Sequence, residues 1–239
     1  MSTPTRYTIT LSDRTVVTYE LQRKAVKNIN LRIPGDGKLY VSAPPAVPRS
    51  RIEDFLHREE AFISRTLATL QKAPVLTLQT GETYYVQGRP YILRVIHGPA
   101  EAMWLQGNTL CLETESDTDW ETRRRLYHAF LLQLSQPLLT ASLTRCYARV
   151  KAYGIPVPRV TIRFMQTRWG SCTPARQTIR LNAYLAIMPD ACIDQVVLHE
   201  LCHFLEANHS ARFYAWLSRF MPDWKSQKKA LESYRPYCI

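Results

Sequence analysis

Three of the six histidines in this 239-residue chain, His199, His203 and His209, fall in one short stretch, VVLHELCHFLEANHSARFY, at positions 196–214. Glu200 directly follows the first. Residues four apart on a helix share a face, so His199 and His203 present two imidazoles to one point, as a divalent cation requires. Glu200 lies one residue round the helix, where its carboxylate can approach a water on the cation without becoming a ligand, which is the physical content of the H-E-x-x-H spacing. A catalytic zinc takes three protein ligands and keeps one position open. His209 is the candidate third ligand, but in an unbroken helix it would lie roughly 120° from His203, at about 100° per residue. The helix therefore has to stop and the chain has to double back. Glu206-Ala207-Asn208 offers the place, because asparagine tolerates the left-handed backbone that ends helices, and SARFYAWLSRF then reads as a new amphipathic helix capped by Ser210. The expected cofactor is one zinc ion per chain. Cobalt or nickel suit the same ligands, but zinc is the common cellular choice. The competing reading is a histidine-rich helix whose rings are core residues or a plain surface pair. The apolar flanks Val197, Leu198 and Leu201 and the helix breaker ahead of a third histidine favour the cation.

The elements that must position this stretch follow from periodicity. YTITLSDRTVVTYEL, KNINLRI and KLYVSAP alternate as strands, with PGDG at 34–37 as a turn between the last two. SRIEDFLHREEAFISRTLATLQK has apolar residues at helical spacing, and Ser50 stands three residues before Glu53 as in a capping box. Short strands return in TYYVQGRPYILRVI and AMWLQGNTLCLET. From about residue 117 a long helical pattern runs to Gly154, kinked or broken near Pro137. RVTIRFM and TIRLNAYLAI then bracket the turn region QTRWGSCTPARQ, and Asp190 is a candidate cap for the histidine helix. The predicted class is α+β: a β-rich N-terminal part with one helix, residues 1–116, and a mostly helical C-terminal part with a small sheet, residues 117–239.

Composition sets the limits. With 46% hydrophobic residues the chain can bury a sizeable core. A net charge of +11 attracts anionic partners, nucleotide or nucleic acid included, although no long basic block concentrates it. The six cysteines form no C-x-x-C pair, and the N-terminus lacks the pattern of a signal peptide. Reduced thiols in the cytoplasm are expected. No apolar run is long enough to predict membrane insertion.

RWGSC at 168–172, IRLNAYLAIMP at 179–189, the H-E-x-x-H-x(5)-H-S-x-x-F pattern and the N-terminal RKAVKNINLRIPGDGKLYVSAPP together resemble the YgjP-like metallopeptidases, over nearly the whole chain. More distantly, the histidine stretch is similar to that of the WLM and SprT proteases, which act on proteins crosslinked to DNA. The resemblance implies a zincin-like C-terminal part, zinc on His199, His203 and His209, and Glu200 as catalytic base. RWGSC admits two readings. Arg168 could contact a substrate or an anionic transition state from a rim near the metal. Structurally, Trp169 could fill core, Gly170 form a bulge, Ser171 cap and Cys172 pack as a small apolar group. Tyr214 is a further candidate for a transition-state contact, and Glu206 and Asn182 could orient the ligand histidines. The leading expectation is a zinc-dependent hydrolase acting on a peptide or protein. The alternatives are a metal-dependent nucleoside triphosphate pyrophosphohydrolase and a nucleic-acid-associated binding module with a structural zinc.

Overall fold

A computed structural model describes residues 4–34, 37–71, 76–115 and 119–239. The chain separates into two compact units, Met1–Pro74 and Val75–Ile239. The composition change expected at 116–117 lies outside the described residues.

The first unit contains four strands, β1 (Thr5–Thr10), β2 (Val16–Arg23), β3 (Asn30–Arg32) and β4 (Leu39–Ala43), in the order β1-β2-β4-β3. Alternation in VVTYELQR sends Val17, Tyr19 and Leu21 to one face, where they join Leu39, Val41 and Ala43 of β4. That face is covered by Ile52, Leu56 and Ile63 from two helices, α1 (Arg49–Arg58) and α2 (Glu60–Gln71). The expected single helix is thus interrupted at Glu59. Ser50 does not cap it either. The helix begins behind Pro48, and Glu53 pairs with Arg49 at 2.6 Å. In the expected PGDG turn, Gly35 and Asp36 lie outside the described residues.

The second unit opens with β5 (Thr83–Val86), β6 (Arg89–His97), β7 (Ala102–Gln106) and β8 (Thr109–Thr114), in the order β5-β6-β8-β7. Tyr84, Leu93, Leu110 and Leu112 of this sheet share one core with Leu126, Tyr127 and Phe130 of α3 (Trp120–Val150). This shared core is why the sheet belongs with the helical region rather than with the preceding strands. Asp119 caps α3 by accepting from the amides of Glu121 and Thr122. The helix runs through Pro137 without ending, because both Pro137 and Gln133, whose carbonyl loses its partner, are on the exposed side.

The expected turn region 166–177 contains a strand. β9 (Arg159–Arg163), β10 (Gly170–Thr173) and β11 (Thr178–Asn182) form a sheet in the order β10-β11-β9, leaving β10 at an edge. Three helices complete the unit, α4 (Asp190–Cys202), α5 (Ala211–Phe220) and α6 (Trp224–Ser233). Pro189, not Asp190, stands at the cap position of α4. Asp190 is instead in the first turn, where a carboxylate favours the helix dipole, and it lies 3.5 Å from Arg145.

The histidine helix is tied to α3 by a cluster of polar contacts centred on Asp194 within the apolar core. Asp194 of α4 accepts from Ser142 at 2.5 Å and from Arg145 at 2.9 and 3.3 Å. Around it pack Leu139, Cys146 and Val150 of α3 with Ile193, Val197 and Leu201 of α4. Removing the carboxylate leaves Ser142 buried without its acceptor, so Asp194→Ala should lower unfolding stability by about 2–3 kcal/mol, measured by urea denaturation.

Candidate metal and catalytic site

The site is built where α4 ends. Its ladder stops at Cys202, and the next amides close tighter bonds, His203 to Glu200 at 3.3 Å and Phe204 to Leu201 at 3.1 Å. The chain then turns at Ala207-Asn208. Ser210 caps α5 by accepting from the Phe213 amide at 3.3 Å. This reversal brings the three histidines together. One ring nitrogen from each lies within 4.8 Å of the others, and Nε2 of His199 and of His209 are 2.9 Å apart. A tetrahedral site with metal–nitrogen bonds of 2.0–2.1 Å needs nitrogens about 3.3 Å apart, so the trio is close to a cation's dimensions. His203 directs Nδ1 to the main-chain oxygen of Glu206 at 3.3 Å, which leaves Nε2 to face the other rings. Glu206 therefore reaches a ligand candidate through its backbone.

Beneath the three rings sits Phe213, fully buried, with its centroid 4.9, 4.8 and 4.8 Å from those of His199, His203 and His209. This apolar floor discourages protonation. Burial, then the neighbouring His203 and His209, push the His199 pKa down to about 3, and burial likewise lowers that of His203. Neutral imidazoles keep their lone pairs for a cation, and the residues present therefore fit a divalent metal.

Glu200 is 5% exposed. Burial raises its pKa to about 8, against the opposing pull of the Arg168 charge and of a hydrogen bond from the Cys172 main chain. β10 passes directly over it. A Cβ at Gly170 would stand 2.6 Å from Oε1 and 2.8 Å from Cγ of Glu200. Gly170 is thus no bulge; it is the strand position that lets the carboxyl lie against the backbone. Cys172 is half-buried, and Cys202, the last residue of α4, is fully buried.

Two cavities meet at Glu200 and His199. The larger, about 510 Å³, is lined by Arg168, Gly170, Ser171, Cys172 and all three histidines. The smaller, about 160 Å³, is lined by Trp169, Gln195, Val196, Tyr214, Trp224 and Leu231, among others. Arg168 and Tyr214 are therefore both at the site. Tyr214 stacks on Trp224 with ring centroids 5.2 Å apart. Trp169 is held by α6 and the turn after it: its Nε1 donates to Glu232 at 3.2 Å, and Arg235 lies over its ring at 4.8 Å.

Among the described residues, Asn182 makes no hydrogen bond to a histidine. It donates to the carbonyls of Met165 and Arg168 at 2.7 and 2.8 Å and accepts from the Met165 and Tyr184 amides. Its work is to fix the loop that leads into RWGSC. Sequence reading did not single out Phe213, Gln195 or Trp224 as site residues. Phe213 entered there only as the last position of the H-E-x-x-H-x(5)-H-S-x-x-F pattern.

A family model described as YgjP-like, metallopeptidase domain matches residues 27–234. No curated protein matches the chain.

The contact between Gly170 and Glu200 can be read as a coupling. Gly170→Ala should destabilise the wild-type chain by about 1–2 kcal/mol, and by clearly less in a Glu200→Ala background, where the added methyl enters vacated space. Urea unfolding of the two single variants and the double variant measures the difference.

Proposed function

The chain belongs to the YgjP-like metallopeptidase family, and on that premise we propose that it is a zinc-dependent peptidase in which Glu200 is the general base. The observation that carries the reading is the convergence of three imidazoles beside a buried carboxyl group that, among the described residues, no side chain pairs with in a salt bridge. His199, His203 and His209 would hold the ion. Zinc bound there supplies a Lewis acid for a carbonyl oxygen and acidifies a water molecule.

The chain's own residues do the rest. Glu200 accepts a proton from the attacking water and delivers it to the departing amine. Gly170 and the Cys172 main chain keep that carboxylate aimed at one place. Arg168 lines the same cavity as Glu200 and already acts on it electrostatically, which supports a role beside a carbonyl oxygen gaining negative charge. Phe213 packs beneath the rings and excludes water there.

A peptide fits better than a nucleotide. Among the described residues, the histidine trio is the one group of three or more His, Cys, Asp or Glu side chains placed to hold a metal. An oxygen-rich cluster of the kind magnesium-dependent phosphate chemistry uses has no counterpart there.

Glu200→Gln should retain one zinc per chain by elemental analysis while cleaving casein-derived peptides about 10²–10⁴-fold more slowly. His203→Ala should lose both metal and activity. Hydrolysis of nucleoside triphosphates but of no peptide, abolished in Glu200→Gln, would overturn the peptidase assignment in favour of phosphoanhydride chemistry.

A further inference from the structure

The smaller cavity at the site contains a polar group with nothing to bind. Gln195 is 4% exposed, yet its side-chain amide makes no hydrogen bond to any described residue. It lines the cavity with Val196, Trp169, Tyr214, Trp224 and Leu231. The fully enclosed side-chain atoms without a partner among the described residues are Arg123 Nε and Tyr127 Oη, so the Gln195 amide instead opens into this cavity, where a ligand that shuts out water has to supply its hydrogen bond. Two of the other polar groups around it are already engaged, while the Tyr214 hydroxyl and the Lys228 ammonium line the same cavity. Trp224 Nε1 donates to Ser218 at 2.9 Å, and Glu232 accepts from Trp169 and pairs with Arg235 at 2.8 Å.

Size and direction narrow the ligand. A cavity of about 160 Å³, walled in large part by aromatic and aliphatic groups with Lys228 and Glu232 also in the lining, has the volume that accepts one benzene ring. Gln195 lies four residues before His199 on α4 and so on the same face, about 6 Å further along the axis. A group entering from the reaction centre at His199 and Glu200 meets apolar walls first and the amide about 6 Å further on. Lys228 at the lining, whose charge acts on His199, disfavours a cationic side chain.

Resting on the peptidase reading, we propose that this cavity receives the side chain of the residue flanking the scissile bond and selects tyrosine, with the ring between Trp169 and the Tyr214–Trp224 stack and the phenol hydroxyl on Gln195. A site built to hydrogen-bond a hydroxyl rejects the analogue that lacks it, because the buried amide is then left unpaired.

The test has two arms. In the first, the full chain with isotope-labelled methyl groups is titrated with p-cresol and with toluene, and the Val196 and Leu231 methyl resonances are followed. Both ligands should shift them, p-cresol at about fivefold to tenfold lower concentration. Gln195→Leu should erase that advantage and leave toluene binding in place. Absence of any shift, or equal binding of the two ligands by the wild-type chain, would overturn the proposal without recourse to a variant. In the second arm, zinc-loaded protein cleaves peptides differing at one residue beside the cut. Tyrosine should exceed phenylalanine by about fivefold to tenfold in kcat/KM and alanine by about 100-fold, with lysine poorest. Cleavage indifferent to that residue would sink this inference and leave the peptidase reading standing. Failure to cleave any peptide while p-cresol still binds would sink the peptidase reading, and with it the assignment to a scissile residue.

Discussion

The site rests on the packing of three imidazole rings against one phenylalanine. Phe213 is equidistant from His199, His203 and His209 and fully buried, so it offers the rings neither hydration nor a counter-charge. A proton on His199 or His203 would face burial and the other rings close beside it. Three lone pairs are thereby held near a common point, an arrangement that is unfavourable in isolation and favourable once a cation sits among them. On the proposed reading, the energy of metal binding offsets what the fold spends in crowding these groups together.

The surrounding elements serve that crowding. Asp194 anchors α4 to α3 through Ser142 and Arg145, so the helix carrying His199 and Glu200 has a fixed depth in the core. β10 then closes over Glu200 at a position where only hydrogen fits on the α-carbon. The strand is held from the far side by Trp169, which Glu232 and Arg235 grip from α6 and the turn that follows. The carboxyl group is thus confined between a helix, a strand edge and the bracing of α6. Such confinement by packing, rather than by a direct ion pair, suits a group that must exchange protons.

The features legible in the sequence were those carried by near neighbours. The i, i+4 histidines, the need for a break before His209 and the Ser210 cap all follow from helix geometry within 15 residues, and the structure brings the three rings together accordingly. The α+β class followed from alternation and helical periodicity. What escaped involves partners far apart in the chain. Gly170 meets Glu200, Trp169 meets Glu232 across 63 residues, and Asn182 braces the loop at Met165 and Arg168 instead of a histidine. The unit boundary escaped for the same reason. β5 to β8 resemble the earlier strands in composition, but they bury their apolar face on α3, and the chain divides at Pro74. Local rules also yielded to packing at Pro137, where an exposed proline sits in a helix whose other face is buried.

X-ray absorption at the zinc edge of the metal-loaded chain tests the central claim most directly. Three nitrogen scatterers at about 2.0–2.1 Å with one light oxygen from solvent are predicted. A sulfur scatterer near 2.3 Å, which would place Cys172 in the open corner, or a site closed by a fourth protein nitrogen or carboxylate, would contradict it.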